Sequence, residues 1–201
     1  MPEQPQLLVP QDVYLKAGIH IGTKFKTKHM EKFIYKTRPD GLSVLNLQKI
    51  DERLKMAANM LSKYNPQDIM ILSRRENGWK AVELFGKLTG MRIFAGRYPP
   101  GLITNSALES FMEIKLLLVT DAWPDRNAVL DAINIGIPVI ALCDTNNQSN
   151  NIDLVVPCNN KGQKSLGLAF YIMAREYLRS RGELLPNQEP SIPLDDFIAE
   201  E

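Results

Sequence analysis

Lys24, Lys26 and Lys28 stand at every second position of the stretch AGIHIGTKFKTKHMEKFIYKTRPDG, residues 17–41. Between Lys16 and Arg38, seven basic residues face one acid, Glu31. In an extended segment alternate side chains leave the backbone on one side, so the three ammonium groups would project together. Cations repeated at that pitch suit the phosphates of a polyanion better than a small ligand. Lys32, Lys36 and Arg38 continue the cluster, and His29 adds charge when protonated. The competing reading is a solvated lysine face without a partner.

Further cations follow apolar runs. Arg74 and Arg75 come after Ile69–Leu72, Arg97-Tyr98 after Met91–Ala95, and Lys161 sits in the loop Asn159-Asn160-Lys161-Gly162. Guanidinium forks clasp phosphate oxygens in pairs, and Tyr98 offers a ring for an unpaired base. Trp123, in a strand-to-helix loop, is the better of the two tryptophans for a protein partner. Arg175 and Arg179, one helical turn apart, make a second basic edge for such a partner.

Asp121 and Asp144 are placed at the carboxyl ends of apolar runs, where open α/β sheets bind ligands. There an aspartate could hold magnesium or accept a phosphoryl group. More ordinarily it ties a turn or caps the next helix through backbone N–H groups, which is the role expected of both. No Walker loop, dinucleotide fingerprint or nucleophile elbow occurs. His20 and His29 are the only histidines, and Cys143 and Cys158 form no close pair, so neither a zinc site nor a disulfide framework is expected. His20, between glycines and apolar residues, reads as packed. Catalysis, metals and cofactors are expected to be absent.

The elements that must position these residues follow from periodicity. Asp12–Ala17 predicts a short helix stopped by Gly18. Phe33–Lys36 and Leu42–Asn46 flank Arg-Pro-Asp-Gly and predict a hairpin. Leu47, Ile50, Leu54, Ala57, Ala58, Leu61 and Tyr64 recur at helical spacing. From Asp68 onward, short apolar runs alternate with helices: Ile69–Leu72, Met91–Ala95, Lys115–Thr120, Ile137–Leu142 and Asp153–Val156. That rhythm predicts a mainly parallel five-stranded sheet covered on both faces. The expected organisation is a basic N-terminal extension over residues 1–46, an α/β domain over 47–182 and an acidic tail over 183–201.

Within 201 residues, 24 Lys and Arg nearly balance 23 Asp and Glu, but six acids fall after Gly182 with no base among them. Residues 1–182 therefore carry 24 bases against 17 acids, a body of net +7. The tail is expected to be poorly ordered alone. The opening MPEQPQLLVPQD lacks the basic start and apolar run of a signal peptide, and no stretch approaches the roughly 20 apolar residues of a membrane span. A cytoplasmic, reducing location is expected.

The stretch Ala17-Gly18-Ile19-His20-Ile21-Gly22 resembles the signature that opens the second-protein family of the small ribosomal subunit. This universal family includes the eukaryotic laminin-receptor-like ribosomal protein. Similar motifs continue in order: Met30–Tyr35, Arg38-Pro39-Asp40-Gly41, Asn46–Lys49, Ser73-Arg74-Arg75, Ala95–Tyr98, Leu118–Asp121, Gly136–Thr145, Val156–Gly162 and Ala174-Arg175-Glu176. They span about Asp12 to Gly182 in an archaeal-like pattern. The resemblance implies a flavodoxin-like three-layer α/β/α fold with an N-terminal appendage. It also implies a structural ribosomal protein that binds small-subunit rRNA and neighbouring ribosomal proteins where the head meets the body. Neither a small-molecule substrate nor a membrane partner is implied. Trp123-Pro124-Asp125-Arg126 departs from the Pro-Arg-Ala-Asp-like turn usual there, so contacts of that loop are not carried over.

Overall fold

A computed structural model of the chain describes residues 7–198. The first half of the N-terminal MPEQPQLLVPQD segment and the last two acids of the tail, Glu200 and Glu201, lie outside the described residues. Helix α1 (Gln11–Ala17) ends at Gly18, whose φ of 67° is the left-handed cap that glycine adopts without a Cβ clash. A single-turn helix α2 (Lys28–Glu31) precedes the antiparallel hairpin of β1 (Ile34–Thr37) and β2 (Ser43–Leu45). Helix α3 (Leu47–Leu61) follows, with Asn46 accepting the first N–H groups from Gln48 and Lys49. The α/β unit then runs β3 (Ile69–Ser73), α4 (Trp79–Thr89), β4 (Arg92–Ala95), β5 (Leu116–Val119), α5 (Arg126–Asn134), β6 (Val139–Cys143), β7 (Leu154–Pro157) and α6 (Gln163–Ser180). A short α7 (Leu194–Ile198) closes the described chain.

All five strands of the main sheet are parallel, in the order β4-β3-β5-β6-β7, the doubly wound order of flavodoxin-like folds. Every residue of β3, β5, β6 and β7 is buried, so both faces are covered. Helix α6 packs between α3 and α4 on one face. Ala128, Val129 and Ala132 of α5 are buried, as are Leu102 and Ile103 in the long β4–β5 connection. The two pack together where Asp131 of α5 accepts hydrogen bonds from the Tyr98 hydroxyl and the Gly101 N–H, each at 2.9 Å.

Two expectations change. The lysine row is not a strand: only Ile21 makes a β-bridge, to Val44, and Lys28 already belongs to α2. The cause is Thr27, which caps α2 through the Met30 N–H and so turns the chain to bury Met30. The acidic tail, expected to be loose, folds back on α6 along its described part. Phe197 is buried and meets Tyr171 edge-to-face at 5.7 Å, while the Tyr171 hydroxyl donates to Glu189 at 2.5 Å. The approach needs Gly167, because a Cβ there would stand 2.2 Å from the Phe197 carbonyl oxygen.

Candidate nucleic-acid interface

Because the five strands are parallel, their carboxyl ends share one rim of the molecule. Arg74 and Arg75 leave β3, Arg97 leaves β4, Asp121 and Trp123 leave β5, Asp144 leaves β6 and Lys161 follows β7. Beneath them a polar network ties the ends of the last three strands together. Asn147 donates to Asp121 at 2.7 Å and accepts the Asp144 N–H at 3.0 Å, while Asn160 donates to the Leu142 carbonyl at 3.1 Å.

The basic segment is fastened to this rim. Thr145, just past β6, accepts the Thr23 N–H at 2.9 Å and donates its hydroxyl to the Phe25 carbonyl at 3.0 Å. The Thr27 N–H reaches the Thr145 carbonyl at 3.0 Å, and the Thr27 hydroxyl reaches the Asn147 carbonyl at 2.7 Å. Gly22 permits the approach: a Cβ would lie 2.4 Å from the Thr145 methyl. With the backbone held inward at Thr23, Phe25 and Thr27, Lys24, Lys26 and Lys28 all stay exposed. Phe25, between two of them, is 81 % exposed.

Other predicted residues fall differently. Arg74 is exposed, with one guanidinium nitrogen on the Pro124 carbonyl at 3.1 Å. Arg97 is exposed without a partner among the described residues. Lys32, Lys36 and Arg38 are exposed around the hairpin; Lys32 sits 5.1 Å above the Phe33 ring, and Arg38 pairs with Asp40 at 3.4 Å. Arg75 clasps Asp121 with its Nε at 2.8 Å and with Nη2 as well, so its fork is occupied. Lys161 is likewise drawn to Asp144 at 3.3 Å.

Three residues do not serve as expected. Tyr98 is 4 % exposed and spends its hydroxyl on Asp131, so its ring is core and cannot stack on a base. Burial, then that hydrogen bond, pushes the phenol well above its ordinary range. Arg175 is buried against Leu8, Glu176 and Glu189, and Arg179 holds Glu176 and the Gln188 carbonyl. They clamp the chain's own ends, Arg175 from within the core and Arg179 from a partly exposed position.

The strand-end acids are already engaged. Asp121, 2 % exposed, accepts from Arg75, Asn147 and the Trp123 N–H; Asp144 accepts the Thr145 N–H and pairs with Lys161. That is the turn-tying role, and it leaves little for a metal or a phosphoryl group. Burial, with the nearby Asp121 and Asp144 charges, pushes both cysteine thiols up, which makes them inert apolar filling. His20 is lowered by burial and has a shielded Nδ1 without a partner among the described residues.

Sequence reasoning missed Phe25, Arg126 and Asp125. An aromatic flanked by lysines was a usable signal for Phe25. Arg126 and Asp125 had none, because their setting is created by the loop that follows β5. Asp125 precedes α5 without capping it, is buried, and has neither carboxylate oxygen bonded among the described residues.

The family model for ribosomal protein S2 matches residues 14–110 and 109–180. The chain is 50 % identical to a small ribosomal subunit protein uS2 from Thermofilum pendens, over 96 % of this chain and 91 % of that one. A uS2 from Nanoarchaeum equitans is 47 % identical over 94 % of each, and one from Saccharolobus solfataricus 45 % identical over 96 % and 83 %. This chain belongs to the ribosomal protein S2 family.

Proposed function

We propose that this protein is a structural constituent of the small ribosomal subunit that holds rRNA along the carboxyl rim of its sheet. It does so in the cytoplasm, at the junction of head and body, with neighbouring ribosomal proteins on its other surfaces. The observation that carries the reading is the fastening of the Thr23–Thr27 backbone to Thr145, which fixes three exposed lysines on the rim that also bears Arg74 and Arg97. The relatives' shared name, small ribosomal subunit protein, points the same way.

The mechanism is electrostatic and geometric. Lysines and arginines neutralise phosphates and release condensed counterions, while the rigid sheet keeps those charges in register. Lys24, Lys26, Lys28, Arg74 and Arg97 are exposed rim cations open to phosphate; Lys32, Lys36 and Arg38 extend the contact around the hairpin. Arg75 and Lys161 act chiefly through the acids they hold. Catalysis has no part in this mechanism, because the aspartates that could support it are bound to the protein's own groups.

Replacing Lys24, Lys26 and Lys28 by Gln together should weaken binding to small-subunit rRNA. It should also flatten the log-log salt dependence by roughly 0.7–0.9 for each phosphate that the variant no longer neutralises. An unchanged slope in a folded triple variant refutes a role for this row in holding the RNA.

A further inference from the structure

Between the ends of β3 and β5 lies an open groove of about 790 Å³, inside the range of ~300–1,000 Å³ typical of small-ligand sites. Trp123 stands on its wall, 79 % exposed, in a loop stiffened by Pro124 and by the bond from the Trp123 N–H to Asp121 at 3.1 Å. Arg74 and Arg126 also line it, and neither has a carboxylate partner among the described residues. Glu76 is the one acid on the wall. Asn127, exposed at the opening of α5, adds an amide with both hydrogen-bonding ends uncommitted among the described residues. Asp125, the residue before α5, makes no capping hydrogen bond to that helix.

From this arrangement we infer that the groove receives one unpaired nucleotide of an RNA strand. The base stacks on the Trp123 indole, its phosphate lies between Arg74 and Arg126, and Asn127 meets a base edge. The inference rests on the rRNA-binding reading and names the part of the RNA that reaches this place. An acidic peptide would satisfy the two guanidinium groups but bring nothing flat to an indole held out into solvent. A duplex would satisfy the charges but keep its bases stacked inside. An unstacked nucleotide answers all three features at once.

The test uses the full chain and two fluorescently labelled RNAs, a mixed-sequence ten-nucleotide single strand and a duplex of the same length, read by anisotropy. The wild type should prefer the single strand. Trp123→Ala should cost roughly 5- to 150-fold on the single strand, the loss of one base–aromatic stack, and leave the duplex unchanged. Trp123→Phe should recover most of that loss, and the exposed position makes a folding defect from either change unexpected. If Trp123→Ala binds the single strand as well as the wild type does, while the lysine variant still loses affinity, the pocket is refuted and the rRNA reading stands. If the wild type binds neither RNA, both are overturned. A polyglutamate peptide that binds in a Trp123-dependent manner while the single strand does not would reassign the groove to a protein partner and likewise overturn the proposal.

Discussion

At the scale of single residues, two buried aspartates four positions apart do opposite work. Asp121 is saturated with donors, so Asp121→Ala should strand the Arg75 guanidinium and the Asn147 amide. The expected cost is about 2–4 kcal/mol in urea unfolding, below the full value for a buried pair because Arg75 is partly exposed. A loss under about 0.5 kcal/mol would show that the network is ornamental. Asp125 has no bonded oxygen among the described residues, and burial pushes its carboxyl up to about 7, opposed by the nearby Arg74 N–H and reinforced by the Asp121 charge. A carboxyl whose folded pKa lies above its unfolded one favours folding while protonated. That contribution is complete below about pH 4 and lost as pH rises through about 7. Asp125→Asn should therefore stabilise the protein at pH 8, by at most about 4 kcal/mol, and change little near pH 4. Equal shifts at both pH values would contradict the assignment.

At the scale of elements, glycines decide what can dock. Gly167 lets α7 lie against α6, and any Cβ there meets the Phe197 carbonyl at 2.2 Å. Gly167→Ala favours the helix itself by up to about 1 kcal/mol, yet should release the tail. Chymotrypsin should then cut after Phe197 much faster than in the wild type, where that ring is buried against Tyr171. Equal cleavage rates would mean that the tail is not docked in solution. The strands, the main helices and the hairpin were legible in the sequence, because apolar runs, helical periods and Gly stops are local signals. The fates of Tyr98, Arg175 and the lysine row were not. Tyr98 is claimed by Asp131, 33 residues on, and Arg175 by Leu8, 167 residues back. The row is bent by a helix cap at Thr27 and pinned by Thr145, 122 residues from Thr23. Alternation in the chain foretold exposed lysines, but long-range bonds supplied the shape.

At the scale of the whole molecule, a parallel sheet gathers five strand ends on one rim, and the basic segment is bolted to that rim just past β6. Of the tail acids that balance the body's charge, Glu189 lies against α6, where Tyr171, Arg175 and Arg179 hold it. The central claim is that this rim faces rRNA. It is tested most directly by ultraviolet cross-linking of intact small subunits carrying this chain, followed by mapping of nucleotide-linked peptides. Cross-links should concentrate in residues 22–30, 74–77 and 123–127, and be sparse on the exposed sides of α3 and of the second half of α5, residues 130–134. Cross-links confined to those helix faces, with none along the rim, would contradict the account.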